Sequence, residues 1–294
     1  MSLARSFLYV PADRESVLVK SGARGADALI LDLEDAVVPE SKGAARQLLV
    51  KTLQAGIEGA GEILVRINPP SIDRGALTAA DIEAAVSPRV SGVVVAKTES
   101  AADLEFVAEL LHAAERAQGL EVGHNGIAPI IESPAALENL KEIARFPGVV
   151  RLNLGEVDAI SALGLDPDED ELELLPLRSA IVVASAAAGL RPPAGSVFRD
   201  WADLEGLRTT SIRLRRLGFL GRSVIHPSQI PTVHEVFTPS DDQLATAQKV
   251  ADRYAAELAK GNGVYLDEDG RMVDIAVVRA AWRTLSLAPH DLLP

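Results

Sequence analysis

Eight short apolar runs, each followed by a segment of helical or turn character, constrain this chain more than any other feature. They lie near residues 6–10, 28–33, 62–67, 92–96, 127–131, 150–154, 194–197 and 219–225. Near-continuous apolar runs of this length read as strands buried on both faces, the pattern of a parallel sheet. The intervening segments are rich in Ala, Leu and Glu and carry helix-start signals. Ser100 stands three residues before Asp103, and Ser133 directly precedes Pro134. Strands alternating with helices imply an α/β fold with a parallel sheet. Eight such units predict a (β/α)8 TIM-type barrel, although a doubly wound sheet also accommodates the count.

The rhythm changes after Pro239. Residues 240–259 read as one helix opened by Ser240 and Gln243, residues 261–270 are turn-rich, and a last helix is expected over about 275–285. The expected organisation is a barrel over 1–239 and a helical C-terminal extension over 240–294 that packs on the barrel or contacts a neighbouring subunit, the latter favoured.

Charge and composition narrow the function. The chain has 29 Lys and Arg against 42 Asp and Glu, a formal charge of −13. A nucleic-acid surface needs the opposite sign, and 4% aromatics leave little for base stacking. There is no cysteine, so thiolate nucleophiles, zinc thiolates and disulfides are excluded, which fits a reducing cytoplasm. No apolar signal core opens the chain. The apolar stretch near 180–190 is too short to span a bilayer, so no membrane role is expected.

In a parallel α/β protein the C-terminal tips of the strands face the site. Read in order, the tips offer Asp32, Glu34 and Asp35, then Arg66 and Asn68, then Lys97, Glu132, Asp158 and His226. Several carboxylates beside two cations, without Cys, suit a hard, oxygen-binding ion. Mg2+ takes one or two protein carboxylates and fills its octahedron with water and substrate oxygens. Glu132 and Asp158 follow consecutive strands. Plainer readings compete: Asp32 as a structural group, Lys97 as a solvated residue or a partner of Glu99, and His226 as a structural hydrogen-bonder. Arg66, inside an apolar strand, needs either a partner or an anionic ligand.

Several phrases together resemble the HpcH/HpaI aldolase and citrate lyase β-subunit-like family. They are Arg5-Ser-Phe-Leu-Tyr-Val-Pro-Ala-Asp-Arg14, Asp27-Ala-Leu-Ile-Leu-Asp-Leu-Glu-Asp-Ala-Val37, Val65-Arg-Ile-Asn-Pro69, Ile131-Glu-Ser133, Gly155-Glu-Val-Asp158 and Leu217-Gly-Phe-Leu-Gly-Arg-Ser-Val-Ile-His-Pro-Ser-Gln-Ile230, with a weaker Gly270-Arg-Met-Val-Asp274. The resemblance implies a TIM-type barrel and a Mg2+-dependent lyase. Such an enzyme cleaves citryl-, malyl- or citramalyl-type thioesters to a 2-oxo acid or glyoxylate and an acyl thioester. It implies Mg2+ on Glu132 and Asp158, with Glu34 and Asp35 holding the ion's waters. Arg66 would grip the oxo-acid carboxylate, and Asp274, from a neighbouring subunit, would move the proton at the acyl α-carbon. Arg14 and Lys97 are further candidates for anionic substrate, and a trans-acting Asp274 implies a homo-oligomer, a trimer or hexamer.

The chain departs from the family pattern in places. The phrase after the sixth strand is usually Gly-x-Glu-Asp, but here Val157 precedes Asp158 and the Glu stands earlier, at Glu156. The run 166–173 holds six carboxylates in eight residues, where many relatives carry an Arg-containing loop. Such a loop, if it lies beside the site, would repel a CoA phosphate, with Arg14, Arg46 or Arg178 as sources of compensating charge. The thioester carrier, CoA or a protein, therefore stays open. Thioester hydrolysis on the same scaffold and a non-catalytic subunit of a lyase complex are the alternatives.

Overall fold

The computed structural model of the protein describes residues 4–288. Eight parallel strands close into a barrel in sequential order. They are β1 (Ser6–Pro11), β2 (Ala28–Asp32), β3 (Glu62–Ile67), β4 (Gly92–Val95), β5 (Gly126–Ile131), β6 (Asn153–Leu154), β7 (Ala194–Gly195) and β8 (Gly221–Val224). β8 pairs back onto β1, with Ser6 opposite Arg222, and the ring has no free edge.

The interior is filled from alternate positions of successive strands, as a period of two requires. Phe7, Ala28, Ile30, Leu64, Val94, Ala128, Ile130 and Ala194 form one buried cluster, and Tyr9 packs against it. A second apolar layer, including Leu29, Val65, Val93 and Ile127, faces the surrounding helices. Both faces of each strand are thus covered, which is why the strands read as unbroken apolar runs.

β6 and β7 are two residues each, shorter than the runs at 150–154 and 194–197 suggest. Ahead of β7 stand Pro192 and Pro193, which have no N–H to give a ladder. Several expected helix starts are in place. Ser100 and Asp103 form a reciprocal capping box on the helix Ala101–Ala117. Ser133 accepts the N–H of Ala136 at 3.1 Å to cap the helix Pro134–Glu138.

The chain divides into two compact units, 4–234 and 235–288. The second contains the helix Asp241–Ala259, opened by a Ser240–Gln243 capping box, and the helix Ile275–Leu285. Between them the turn-rich stretch forms an antiparallel hairpin of Tyr265–Leu266 and Met272–Val273. Tyr254, Val273 and Val278 make its small core. No helix among the described residues is long and apolar enough to cross a membrane.

Candidate active site

The register of β2 and β3 sets Asp32 directly opposite Arg66. The guanidinium meets the carboxylate in a two-point fork, Nε to Oδ1 at 2.7 Å and Nη2 to Oδ2 at 2.6 Å. Asp32 also accepts the N–H of Glu34 at 2.9 Å and that of Ala36 at 3.3 Å, so it shapes the turn after β2. Arg66 Nη1 stands 3.1 Å from Glu34, and its guanidinium lies 4.8 Å over the Tyr9 ring. Asp32 is thus the structural group its position allowed, and Arg66 has found an internal partner.

Among the plainer readings of Lys97, a pair with Glu99 is not the one the structure has; its ammonium reaches Glu34 at 2.5 Å and Asp35 at 3.3 Å. Glu34 is close in space because β2 and β4 both flank β3 in parallel, with their tips at the same end, whereas Glu99 is close only in sequence. Burial pushes the Glu34 carboxyl up, against the pull of Arg66 and Lys97. Both its oxygens are engaged, one by Lys97 and the other by the Asp35 N–H at 2.8 Å.

Glu132 follows β5 and is 7% exposed. Its Oε1 accepts the Lys97 backbone N–H at 2.6 Å. Lys97 has φ +48°, a left-handed conformation that a side chain pays for, and this turn aims the amide at the carboxylate. Asp158 lies in the first turn of the helix Glu156–Leu163, and its side chain is exposed. Gly155 separates the two carboxylates. A Cβ there would fall 2.5 Å from Glu132 Oε2, so only glycine lets this turn pass so close. Burial pushes the Glu132 carboxyl up to about 7, and the charge of Asp158 adds to the effect.

Glu132, Asp158 and Arg66 line one cavity of about 330 Å³ at the strand tips, with Tyr9, Asn153 and Ser196. Glu132 and Asp158 make no ion pair among the described residues, while Arg66 and Lys97 are committed to Asp32, Glu34 and Asp35. Five carboxylates against two cations leave an excess of negative charge in a partly buried place. No group of three or more His, Cys, Asp or Glu ligands forms among the described residues. Two carboxylates beside open volume fit a hard divalent ion that completes its shell with water and substrate oxygens.

Other expected residues lie elsewhere. Arg178, a proposed source of positive charge, is buried and spent on Glu156 at 2.6 Å and Glu171 at 2.8 Å. Glu156, the displaced Glu of the Gly155-Glu-Val-Asp158 phrase, therefore turns away from the cavity. The 166–173 run is tied down in part: Glu171 meets Arg178 and Arg213. Arg46 is taken by buried Asp81 at 2.7 Å. Asn68 is consumed by Lys42, Asp81 and the Leu33 carbonyl. Arg14 is exposed, with Asp13 at 3.9 Å. His226 caps the turn Pro227–Gln229, accepting the Ser228 N–H, and its ring stacks on Trp201 at 4.5 Å. Asp274 belongs to the 235–288 unit. There it caps the helix Ile275–Leu285, accepting the N–H groups of Ala276 and Val277.

Tyr9, Asn153 and Ser196 carry no charge, so the charged strand tips do not point to them. Tyr9 did leave a signal, since positions 7 and 9 of one strand share a face. Burial pushes its phenol up, opposed by Arg66 and reinforced by Asp32, so it stays a neutral donor.

Residues 5–227 match the HpcH/HpaI aldolase/citrate lyase family. The chain is similar to the citrate lyase subunit beta of Leuconostoc mesenteroides subsp. cremoris, 33% identical over 97% of this chain and 93% of that one. It is similar to a (3S)-malyl-CoA thioesterase of Cereibacter sphaeroides strain KD131, 32% identical over 97% and 94%. Among solved structures it resembles the CitE protein of Mycobacterium tuberculosis in complex with magnesium, acetoacetate and coenzyme A. That likeness has a TM-score of 0.77 and 31% identity over 97% of this chain and 98% of that one.

Proposed function

This chain belongs to the HpcH/HpaI aldolase/citrate lyase family, and from that premise we propose that it cleaves a 3-hydroxy acyl thioester of the citryl-, malyl- or citramalyl-CoA type. It is a lyase of that family. The proposed products are a 2-oxo acid or glyoxylate and an acyl thioester. The observation that carries the reading is the cavity shared by Arg66, Glu132 and Asp158.

Glu132 and Asp158 would hold Mg2+, the ion present in the similar CitE structure. When bound, the ion supplies Lewis-acid polarisation of the substrate's C–O bond and neutralises charge. Arg66 binds the oxo-acid carboxylate. Asp32 takes two of the five guanidinium N–H groups, holding its plane fixed, and donors remain to face the cavity. Lys97 and Glu34 hold the carboxylate of Glu132 and the guanidinium of Arg66 in one connected network. Tyr9 and the apolar floor at Ile130 keep bulk water from the reacting atoms. In cleavage the β-hydroxyl gives its proton to solvent water, its oxygen's electron pair forms the carbonyl, and the Cα–Cβ bond breaks, leaving its electron pair on the thioester α-carbon. That carbon must then take a proton, and Asp274 of a second copy is the acid we assign. This assignment makes the working protein a homo-oligomer.

The test is oxo-acid release. With Mg2+, the chain should release glyoxylate, pyruvate or oxaloacetate from at least one of these thioesters, and EDTA should abolish it. No turnover of any of them, or equal turnover after the metal is stripped, rejects the reading.

Hydrolysis is the second reading, favoured by the likeness to a malyl-CoA thioesterase over nearly the whole chain. It gives free CoA thiol without oxo acid, so thiol and oxo-acid measurements in one assay separate the two.

A further inference from the structure

The helix that carries Asp158 starts without a side-chain cap of its own. A Ser, Thr, Asp or Asn at the N-cap would accept an orphan N–H of the first turn. Here the cap is Gly155, which has no side chain to offer. Nor can it acquire one. A Cβ would stand 2.5 Å from Glu132 Oε2, 2.6 Å from Glu132 Cβ and 2.9 Å from Ile130 Cγ2. Close passage of Glu132 and self-capping of this helix exclude one another.

The missing acceptor comes from another strand. Ser196, just beyond β7, accepts the Glu156 N–H on its Oγ at 3.1 Å. It is 3% exposed and lines the same cavity as Glu132 and Asp158. Its own backbone is held: Arg222 Nε donates to the Ser196 carbonyl at 2.8 Å. Arg222 Nη1 is anchored in turn on Thr210 Oγ1 at 2.6 Å and Ser211 Oγ at 3.1 Å. A buried arginine, its ring-stacking partner Phe198 and two helix hydroxyls thus fix one hydroxyl oxygen. The second hold on the turn is the Glu156 side chain, forked onto Arg178.

We propose that Ser196 is a positioning residue for the metal site: it caps the Asp158 helix in trans and so sets the Asp158 carboxylate against Glu132. The inference rests on the assignment of those two carboxylates as metal ligands. Asp158 is exposed and sits two residues beyond the capped N–H, so the direction of its side chain follows the orientation of this turn. Without the cap, the Glu156 N–H loses its acceptor and the turn is free to rotate about the Arg178 fork.

The experiment is a substrate-free Mn2+ titration of the full chain, read by electron paramagnetic resonance, on wild type and three variants. Ser196→Ala should raise the dissociation constant by about 10-fold or more, the scale of groups that orient metal ligands. Ser196→Thr keeps the hydroxyl and should restore affinity to near wild type. Ser240→Ala removes a cap of the 235–288 unit and controls for general destabilisation; it should lower the melting temperature and leave Mn2+ affinity unchanged. Wild-type binding with an unchanged dissociation constant in Ser196→Ala overturns the proposal and leaves the metal site standing. If Ser196→Ala does not fold, Ser196→Thr decides: a folded Thr variant with weakened binding also overturns it. A wild type that binds no Mn2+ rejects the metal site itself and this inference with it.

Discussion

Lys97 and Glu132 are joined by a 2.6 Å hydrogen bond from backbone to carboxylate, made possible by the left-handed turn of Lys97 at φ +48°. The same residue extends its ammonium to Glu34. One residue therefore fixes a proposed metal ligand with its main chain and neutralises a buried carboxylate with its side chain.

The two roles separate by mutation. Lys97→Ala loses the ammonium and keeps the strained backbone. Lys97→Gly loses the ammonium and relieves the strain. Glycine has no steric cost in this region, so Lys97→Gly should be the more stable by about 1 kcal/mol. Urea denaturation of the pair measures it. Equal stability would show that the turn is not strained.

The carboxylates Glu132 and Asp158 carry the metal claim. Glu132→Gln and Asp158→Asn should each weaken Mg2+ binding by at least about 10-fold, since each removes an anionic oxygen donor. Metal-free, Glu132→Gln should be at least as stable as the natural chain, because a neutral amide replaces a carboxyl that burial disfavours as an anion. Calorimetry with Mg2+ and thermal melts in EDTA test the two halves. A Glu132→Gln variant that binds Mg2+ like wild type refutes the ligand assignment.

Gly155→Ala probes the close passage behind these carboxylates. Its φ of −103° is open to alanine, so the effect is steric and not conformational. The added methyl must displace Glu132, a clash of the kind that costs about 1–3 kcal/mol. Metal affinity should fall with it. A variant with unchanged stability and affinity would mean that Glu132 has room to move.

Far from the cavity, Asp27 sets a pH dependence. Burial opposes its charge, but the side-chain and backbone N–H groups of Arg5 hold its carboxyl below the usual value near 3.8. The carboxylate therefore contributes stability above that value, and the contribution is lost as the pH falls through the lower, folded-state value. Asp27→Asn should destabilise by about 1.5–3 kcal/mol at pH 7, the range for hydrogen bonds to charged groups. The difference from wild type should narrow below about pH 4, where the carboxyl becomes protonated even when unfolded. A gap that stays constant down to pH 2.5 contradicts the ion pair.

Much of the fold was legible because barrel strands announce themselves twice, by an apolar run and by the helix start that follows. Ile127 to Ser133 shows both, and the structure puts β5, the Glu132 tip and the Ser133 cap in sequence there. β6 and β7 are shorter than their apolar runs because apolar composition does not report which residues join the ladder. In the site, charged tips were legible and their partners were not. Lys97 meets Glu34 from the other side of β3, and Arg66 meets Asp32 through strand register. Arg178 went inward to Glu156 instead of outward to substrate. Ser196 carries no charge, and its capping role exists only once Gly155 and β7 are neighbours in space.

The most direct test of the lyase reading is simultaneous measurement of oxo acid and free thiol from malyl-, citramalyl- and citryl-CoA. Oxo acid should appear in step with acyl-CoA, vanish with EDTA, and return when Mg2+ is restored. Free thiol without oxo acid, or activity indifferent to EDTA, would contradict it.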